Sequence, residues 1–446
     1  MSGRVWLGVL GLFCLLPLAL MVAGQVTPEP PVIRAEAPET VIVVIGCTLR
    51  ADRFGLYGNP RPTTPYLDRL GSQGVVFDEV YADAPWTRPA VASLITGRYP
   101  LVLGVDDPRP ILGSSRGVDP SFVTLAESFG AAGWHTVGAT ANPNANAFFG
   151  MDQGFEVYTE ATGLWREDRR KVSGAEMLRP FVEELSSRSG RLYGQLLLVD
   201  THGPRSPGPL ARIWVGWRLL FRPDQLMVYD AALREFDRVV RSLDRELAAL
   251  GRDQRLLVLI GDHGEGLDTP AHAGAVHGRY LYDPTLHVPW ILHGPGVKAG
   301  QRIGGLAESV DLLPTVLDLA GVPRIGATDG DSRAAAARGE LGSTGESRIF
   351  SETYFSTEHK VRLSTPEWTL IHSETTRVSV GREELYAGDD RNQLHEVSSE
   401  HPELTRRMLD AVLALRQPLL EQQVVWQSGA DDVTVKRQLK ALGYME

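Results

Sequence analysis

Residues 41–58, VIVVIGCTLRADRFGLYG, with 61–70, RPTTPYLDRL, and 84–100, APWTRPAVASLITGRYP, decide the fold of this chain. Val41 to Ile45 is an unbroken β-branched run, the mark of a strand buried on both faces rather than one with a wet side. It runs into Gly46-Cys47, so a thiol stands where the strand ends. Further on, Thr87-Arg88-Pro89 opens a helix-like segment. Pro89 suits a first turn, where a missing N–H costs little. A helix N-terminus also offers N–H groups and a positive dipole end to an oxyanion.

The same pattern repeats along the chain. His135–Thr140, Gln195–Val199 and Arg255–Ile260 read as further short buried strands, separated by amphipathic stretches such as Ala231 to Leu250. Alternation of this kind predicts an α/β fold, a large, mostly parallel sheet sandwiched by helices. Ligands of such sheets bind beyond the carboxyl ends of the strands. The polar residues expected there are Cys47, Asn142, Asp200 with His202, and Asp262 with His263. Two insertions interrupt the pattern. Thr159 to Arg191 is charged and predicts one surface helix. Arg205 to Arg222 mixes arginines with Trp214, Trp217 and Phe221, and reads either as a lid or membrane-touching element or as a helix packed by its aromatic face. Beyond residue 325 the segments Arg348–Tyr354, Lys360–Ser364, Trp368–Ser373 and Glu383–Tyr386 predict strands, and about Pro402–Leu415 a helix. The expected division is therefore an α/β domain over 40–325 and a small antiparallel subdomain over 326–446.

The chain has 446 residues and a formal net charge of −10, which argues against nucleic acid as a partner. Cys14 and Cys47 are its two cysteines, so the folded part holds one thiol and no internal disulfide. Residues 1–24 form a signal or membrane-anchor segment. Val5 to Gly24 carries no charge, is long enough to cross a bilayer, and follows Arg4. Residues 25–39, rich in proline and glutamate, form a stiff linker. The predicted location is extracytoplasmic, in the periplasm or cell envelope, either secreted or attached to the membrane through an N-terminal helix.

Several stretches in order resemble the sulfatase family of the alkaline-phosphatase-like superfamily: the opening segment, Gly150 to Phe155, Asp200-Thr201-His202, Gly261 to Glu265, His277-Gly278 with Leu281 to Asp283, Val288-Pro289, Val310 to Thr315, and Leu439 to Tyr444. The resemblance implies in-line transfer of a sulfuryl or phosphoryl group from an ester, assisted by one divalent metal (Zn, Mn, Ca or Mg). It places Thr87 at the nucleophile, where many relatives carry a cysteine or serine matured to formylglycine. Thr87 is thus a nucleophile or a plain helix N-cap. Asp262 and His263 match a metal pair, a donor set suiting Zn or Mn. His202 and His277 match positions on the ester or leaving-group side, and Asn142 and Arg88 match substrate-side positions.

Other positions depart from the family pattern. Cys47 stands where a metal-ligand aspartate is expected, leaving either a zinc thiolate or a lost ligand replaced by a small buried residue. Ala90, Val91 and Leu197 replace polar residues. Two functions follow as expectations. One is a metal-dependent sulfate or phosphate ester hydrolase or transferase. The other is a membrane-anchored pseudoenzyme that binds a sulfated, phosphorylated or protein partner without turnover.

Overall fold

The computed structural model describes residues 37–105, 117–160, 172–205, 225–267, 277–340, 348–355, 358–375 and 380–424. The N-terminal apolar run, residues 206–222 of the second insertion and the segment Leu439 to Tyr444 lie outside them. Among the described residues, no helix is long and apolar enough to cross a membrane.

In chain order the main elements are β1 (Thr40–Gly46), α1 (Pro65–Ser72), β2 (Val75–Tyr81), α2 (Thr87–Thr96), α3 (Leu125–Ala131), β3 (His135–Thr140), β4 (Val157–Glu160), α4 (Gly174–Ser186), β5 (Leu192–Leu198), α5 (Gln225–Ala249), β6 (Arg255–Gly261), β7 (His287–His293), β8 (Gln301–Glu308) and α6 (Leu312–Ala320). The eight strands form one sheet in the order β4-β3-β5-β1-β6-β7-β2-β8. Every neighbouring pair is parallel except those made by β7, which runs against both β6 and β2. The fold is the expected α/β class, a large and mostly parallel sheet with helices around it.

β1 lies at the centre because all its residues are buried, as its unbroken apolar run requires. α5 packs by Tyr229, Leu233, Phe236, Val240, Leu243 and Leu247, buried at helical spacing. α3 and α4 each open on a capping box, Thr124 with Glu127 and Ser173 with Glu176, which satisfies the first orphan N–H groups. α4 is the helix expected in the charged insertion, with Ala175, Arg179 and Glu183 exposed on its outer side. Met177, Phe181 and Leu185 along one side are fully buried.

The C-terminal part is a four-stranded antiparallel sheet, β9 (Ile349–Phe355), β10 (Glu358–Ser364), β11 (Trp368–Thr375) and β12 (Val380–Ala387), followed by α7 (Pro402–Glu421). Met408 and Val412 of α7 close a second small core over Val361, Leu363, Leu370 and Leu385. β9 ties this sheet to the large one. Ser351 Oγ donates to the Ala82 carbonyl, and the N–H of Glu352 donates to the Asp83 carbonyl.

Candidate active site

Four adjacent strands, β3, β5, β1 and β6, point the same way, so their carboxyl ends form one edge. The ladders run slightly past the strands. The N–H of Cys47 donates to the Leu198 carbonyl, that of Ala141 to Leu197, and that of Asp262 to Gly46. These bonds fix the first residue of each following loop and deliver Cys47, Asn142, Asp200 and Asp262 to the same edge. Gly46 and Gly261 are paired in register; a Cβ on Gly46 would strike the Leu49 side chain, and one on Gly261 would strike the Val288 side chain. Directly after Cys47 the chain takes a left-handed turn at Thr48, φ 60°. For a β-branched residue this conformation costs roughly 1–3 kcal/mol, and such strain gathers at functional sites. The turn is held by Thr48 Oγ1 donating to the Cys47 carbonyl at 2.6 Å and by the Thr48 N–H donating to Asp262 Oδ1 at 3.0 Å.

α2 brings the last group. Trp86 stands at its N-cap without a capping side chain, and Thr87 is its first helical residue. The Thr87 hydroxyl is turned to the strand ends instead. Its Oγ1 lies 3.1 Å from Asn142 Nδ2, which donates to it, 3.3 Å from His263 Nε2 and 3.5 Å from Cys47 Sγ. Cys47 Sγ is 4.0 Å from His263 Nε2 and receives Asn142 Nδ2 at 3.4 Å. Asp262 Oδ2 is 3.6 Å from the same Nε2. Cys47, Thr87, Asp262 and His263 are all 0 % exposed, so this is a closed constellation rather than an open cleft.

Electrostatics separate the roles of these groups. His263 Nδ1 faces the Gly264 carbonyl at 2.7 Å, which places the ring proton there and leaves Nε2 with its lone pair toward Thr87 and Cys47. Burial holds the His263 imidazole well below its ordinary value, hence neutral. Burial pushes the Asp262 carboxyl up to about 7, against the N–H groups of Thr48 and His263 that bond its Oδ1. Burial, and then the neighbouring Asp262, raise the Cys47 thiol. Asp262 Oδ2 is buried without a hydrogen bond of ordinary geometry, and the weakly donating Cys47 thiol is the neighbouring side chain that bears on this carboxylate. Such an orphan costs roughly 1–3 kcal/mol. It is the observation that fits a cation. Cys47, Asp262 and His263 offer sulfur, oxygen and nitrogen donors all within 4.8 Å of one another.

A second row of groups adjoins this cluster. The ring of His277 lies 5.0 Å from that of His263 and 5.1 Å from that of His202. His277 Nδ1 is 2.8 Å from Glu265 Oε1, and Arg205 Nη2 donates to Glu265 Oε2 at 2.6 Å. Burial alone would raise the Glu265 carboxyl, but His277 and Arg205 hold it well below its usual range. Glu265 therefore stays ionised and fixes His277. It lies within the segment Gly261 to Glu265 and escaped sequence reasoning as a site residue, because its partners are distant in the chain. His202 Nδ1 is turned to the Gly203 carbonyl. Asp200 serves a different end, its Oδ1 accepting the Gly174 N–H at the start of α4. Arg88 is buried against the Phe149 ring, 3.6 Å from its centroid, and donates to Asn144 Oδ1 at 3.1 Å. Asn144 in turn donates its N–H to Asn142 Oδ1. Arg88 therefore reaches the cluster through Asn144 and Asn142. Ala90, Val91 and Leu197 are buried core residues.

The α/β fold carries this cluster at its strand ends, and the profile of the sulfatase family matches residues 39–322. The chain belongs to the sulfatase family. Members of that family generally bind a divalent metal, and the cluster above supplies a ligand set for one. The chain is similar to N-acetylgalactosamine-6-sulfatase of Mus musculus, 25 % identical over 362 residues that make up 70 % of this chain and 66 % of that protein. It thus spans just under two thirds of the relative's length. It is also similar to arylsulfatase A of Homo sapiens, 33 % identical over 120 residues, 27 % of this chain and 22 % of that one. Among solved structures, the phosphonate monoester hydrolase of Agrobacterium radiobacter shares the fold with a TM-score of 0.70 and 16 % identity, covering 86 % of this chain and 96 % of that chain.

Proposed function

We propose that this protein is an extracytoplasmic, metal-dependent hydrolase or transferase of sulfate or phosphate esters, with Thr87 as the nucleophile. The observation that carries the reading is the placement of Thr87 Oγ1. It stands on the first turn of a buried helix, 3.3 Å from the neutral face of His263 and 3.1 Å from the Asn142 amide. The N-terminal end of α2 favours the anionic oxygens of a bound ester. Asn142 holds the hydroxyl in place and donates to charge that develops there. Asp262, His263 and Cys47 would hold the divalent cation, which supplies the positive charge that lowers the pKa of a neighbouring hydroxyl and neutralises the transferring group. His277, fixed by Glu265 and with His202 beside it, would supply the proton that the leaving oxygen needs. The Thr87 hydroxyl, its proton passing to solvent, attacks in line as the bond to the leaving oxygen breaks and that oxygen takes a proton from His277; water or an acceptor hydroxyl then cleaves the Thr87 ester, giving its proton back to His277. The uncharged run Val5 to Gly24 behind Arg4 supports export of the domain.

The test supplies the purified full chain with zinc, manganese, magnesium and calcium in turn and measures cleavage of aryl sulfate, aryl phosphate and phosphonate monoesters. Thr87→Ala is expected to lower turnover by on the order of 10³ or more, and Thr87→Ser to retain a measurable part. The second reading, a pseudoenzyme, is favoured by the closed site and by the apolar Ala90 and Val91 on α2. Its signature is thermal stabilisation by sulfate or phosphate with no cleavage under any of the metals.

A further inference from the structure

We propose that the metal centre of this chain is a thiolate site that selects zinc-like, thiophilic cations over calcium and magnesium. Cys47 Sγ, Asp262 Oδ2 and His263 Nε2 are the protein donors, and Thr87 Oγ1 faces the fourth position. This inference deepens the reading of the cluster as a metal centre and rests on it. Zinc binds sulfur at about 2.3 Å and nitrogen or oxygen at about 2.0–2.2 Å, so its tetrahedral donors stand about 3.3–3.6 Å apart. Here His263 Nε2 lies 3.3 Å from Thr87 Oγ1 and 3.6 Å from Asp262 Oδ2, and Cys47 Sγ lies 3.5 Å from Thr87 Oγ1. The separation of Cys47 Sγ and His263 Nε2, 4.0 Å, is only slightly wider. Three of these four separations match a small tetrahedral ion, and the Cys47, Asp262 and His263 donors all lie within 4.8 Å of one another.

The donor types point the same way. Calcium takes about 6–8 oxygen ligands, and magnesium prefers an octahedron of oxygens with several waters. This closed cluster offers one carboxylate oxygen, one hydroxyl, one imidazole and one sulfur. Sulfur with imidazole suits zinc. The outer contacts hold the donors in place. His263 Nδ1 is anchored on the Gly264 carbonyl, Asp262 Oδ1 takes two N–H groups, and Oδ2 is left without a hydrogen bond of ordinary geometry. The Cys47 backbone is fixed by the Leu198 carbonyl and by the hydroxyls of Thr48 and Thr201, both of which donate to its own carbonyl. The lone thiol is thus one member of a built set that includes an unpaired buried carboxylate oxygen.

The experiment equilibrates the purified full chain with equal zinc, calcium, magnesium and manganese, and measures bound metal by mass spectrometry. Cobalt(II) then replaces the metal, and its absorption is recorded. The expected results are about one zinc per chain, calcium and magnesium near background, and a near-ultraviolet thiolate-to-cobalt charge-transfer band. Cys47→Ser should remove the band and weaken zinc by more than the about 10–100-fold that loss of an outer contact costs. Cys47→Asp should keep a metal and shift the preference toward manganese and calcium. Equal uptake of all four metals, no zinc, or zinc with no thiolate band in the wild-type chain overturns the proposal, and these wild-type readings stand even where a variant fails to fold. The two readings fail separately. A chain that binds zinc through Cys47 but cleaves no ester leaves the thiolate site intact and sinks the enzyme. Cleavage supported by calcium or magnesium without a thiolate band does the reverse.

Discussion

Asp262 and Asp283 are both buried aspartates near the carboxyl edge of the large sheet, and they are surrounded in opposite ways. Asp283 Oδ1 accepts Arg362 Nη2 at 2.7 Å, and its Oδ2 lies within reach of the Tyr81 hydroxyl. The rest of that guanidinium is also engaged, by the Leu281 carbonyl and Ser364 Oγ. The charge is closed on itself and binds β10 of the small sheet to the short helix Asp283–Leu286 before β7. Asp262 has one oxygen bonded to two N–H groups and the other left without a hydrogen bond of ordinary geometry, beside a sulfur and an imidazole lone pair. A buried charge with all its partners is architecture. A buried carboxylate with an oxygen left over, beside a sulfur, a hydroxyl and an imidazole lone pair that can all ligate a cation, is a candidate site.

The comparison breaks most visibly at Arg362. Arg362→Leu strands Asp283 in the junction of the two sheets, and removing one partner of a buried pair costs about 3–5 kcal/mol. Urea denaturation should show that loss, with the small sheet opening at lower denaturant than the large one. A double variant in which Asp283 also becomes Leu should recover much of it, because the uncompensated charge is gone. A loss below about 1 kcal/mol for Arg362→Leu would mean that the pair carries no more than an exposed salt bridge does.

A smaller effect comes from a third group that is neither closed nor donor-rich. Asp83, Glu308 and Asp311 are buried together where β2 and β8 meet β9. Arg333 pairs with Asp311, and Tyr99 donates to Glu308, but Asp83 Oδ1 has no hydrogen-bond partner. Burial, with mutual repulsion behind it, raises Asp83 and Glu308 well above the usual carboxylate range. Burial also lifts Asp311 to about 6, against Arg333. Folded values above the unfolded ones mean that the stability tied to these protons is complete below the unfolded carboxylate range. It is lost as pH rises through about 6 and beyond. Thermal melts from about pH 5 to about pH 8 should therefore show a decline, on the order of 2 kcal/mol, that Asp83→Asn flattens by about half or more. Asn keeps an acceptor for the Ser93 hydroxyl while removing one of the three charges. An unchanged slope would place the titrating groups elsewhere.

The parts of this molecule legible in the sequence are those set by short-range pattern. β1, β3, β5 and β6 are apolar runs bounded by turns, and the sequence places each to within a few residues. β2 and β7 are hidden for local reasons. β2 carries Asp78 and Glu79, which point to Arg302 and Arg391 on the sheet's surface, and its register slips between Phe77 and Val80. β7 carries Pro289, which falls where that register skips and so loses no ladder bond. Nothing in the periodicity of β7 tells that it runs antiparallel. The candidate site divides likewise. Cys47, Asn142, Asp262 and His263 follow from their place just past strand ends. The Glu265–His277 contact depends on where the chain returns after Leu267, and the inward turn of the Thr87 hydroxyl depends on the angle at which α2 meets the sheet. Neither is a matter of spacing along the chain.

The smallest effect should come from Asp262→Asn, and its sign matters more than its size. Asn keeps Oδ1 for the N–H groups of Thr48 and His263 and puts an amide in place of the orphan Oδ2. That amide faces His263 Nε2, an acceptor 3.6 Å from the atom it replaces. An unsatisfied buried acceptor is thereby exchanged for a donor near a lone pair. Without metal, the variant should be about 1 kcal/mol more stable than the wild type. With zinc present the order should reverse, because the wild type gains stability from binding and the variant has lost a charged ligand. Asp283→Asn should behave differently, losing stability whether or not metal is added, since Arg362 there loses its anionic partner. Melting both variants with zinc and with a chelator separates the cases. If Asp262→Asn is destabilised equally under both conditions, Asp262 is a structural aspartate like Asp283, and the unpaired oxygen is not a ligand.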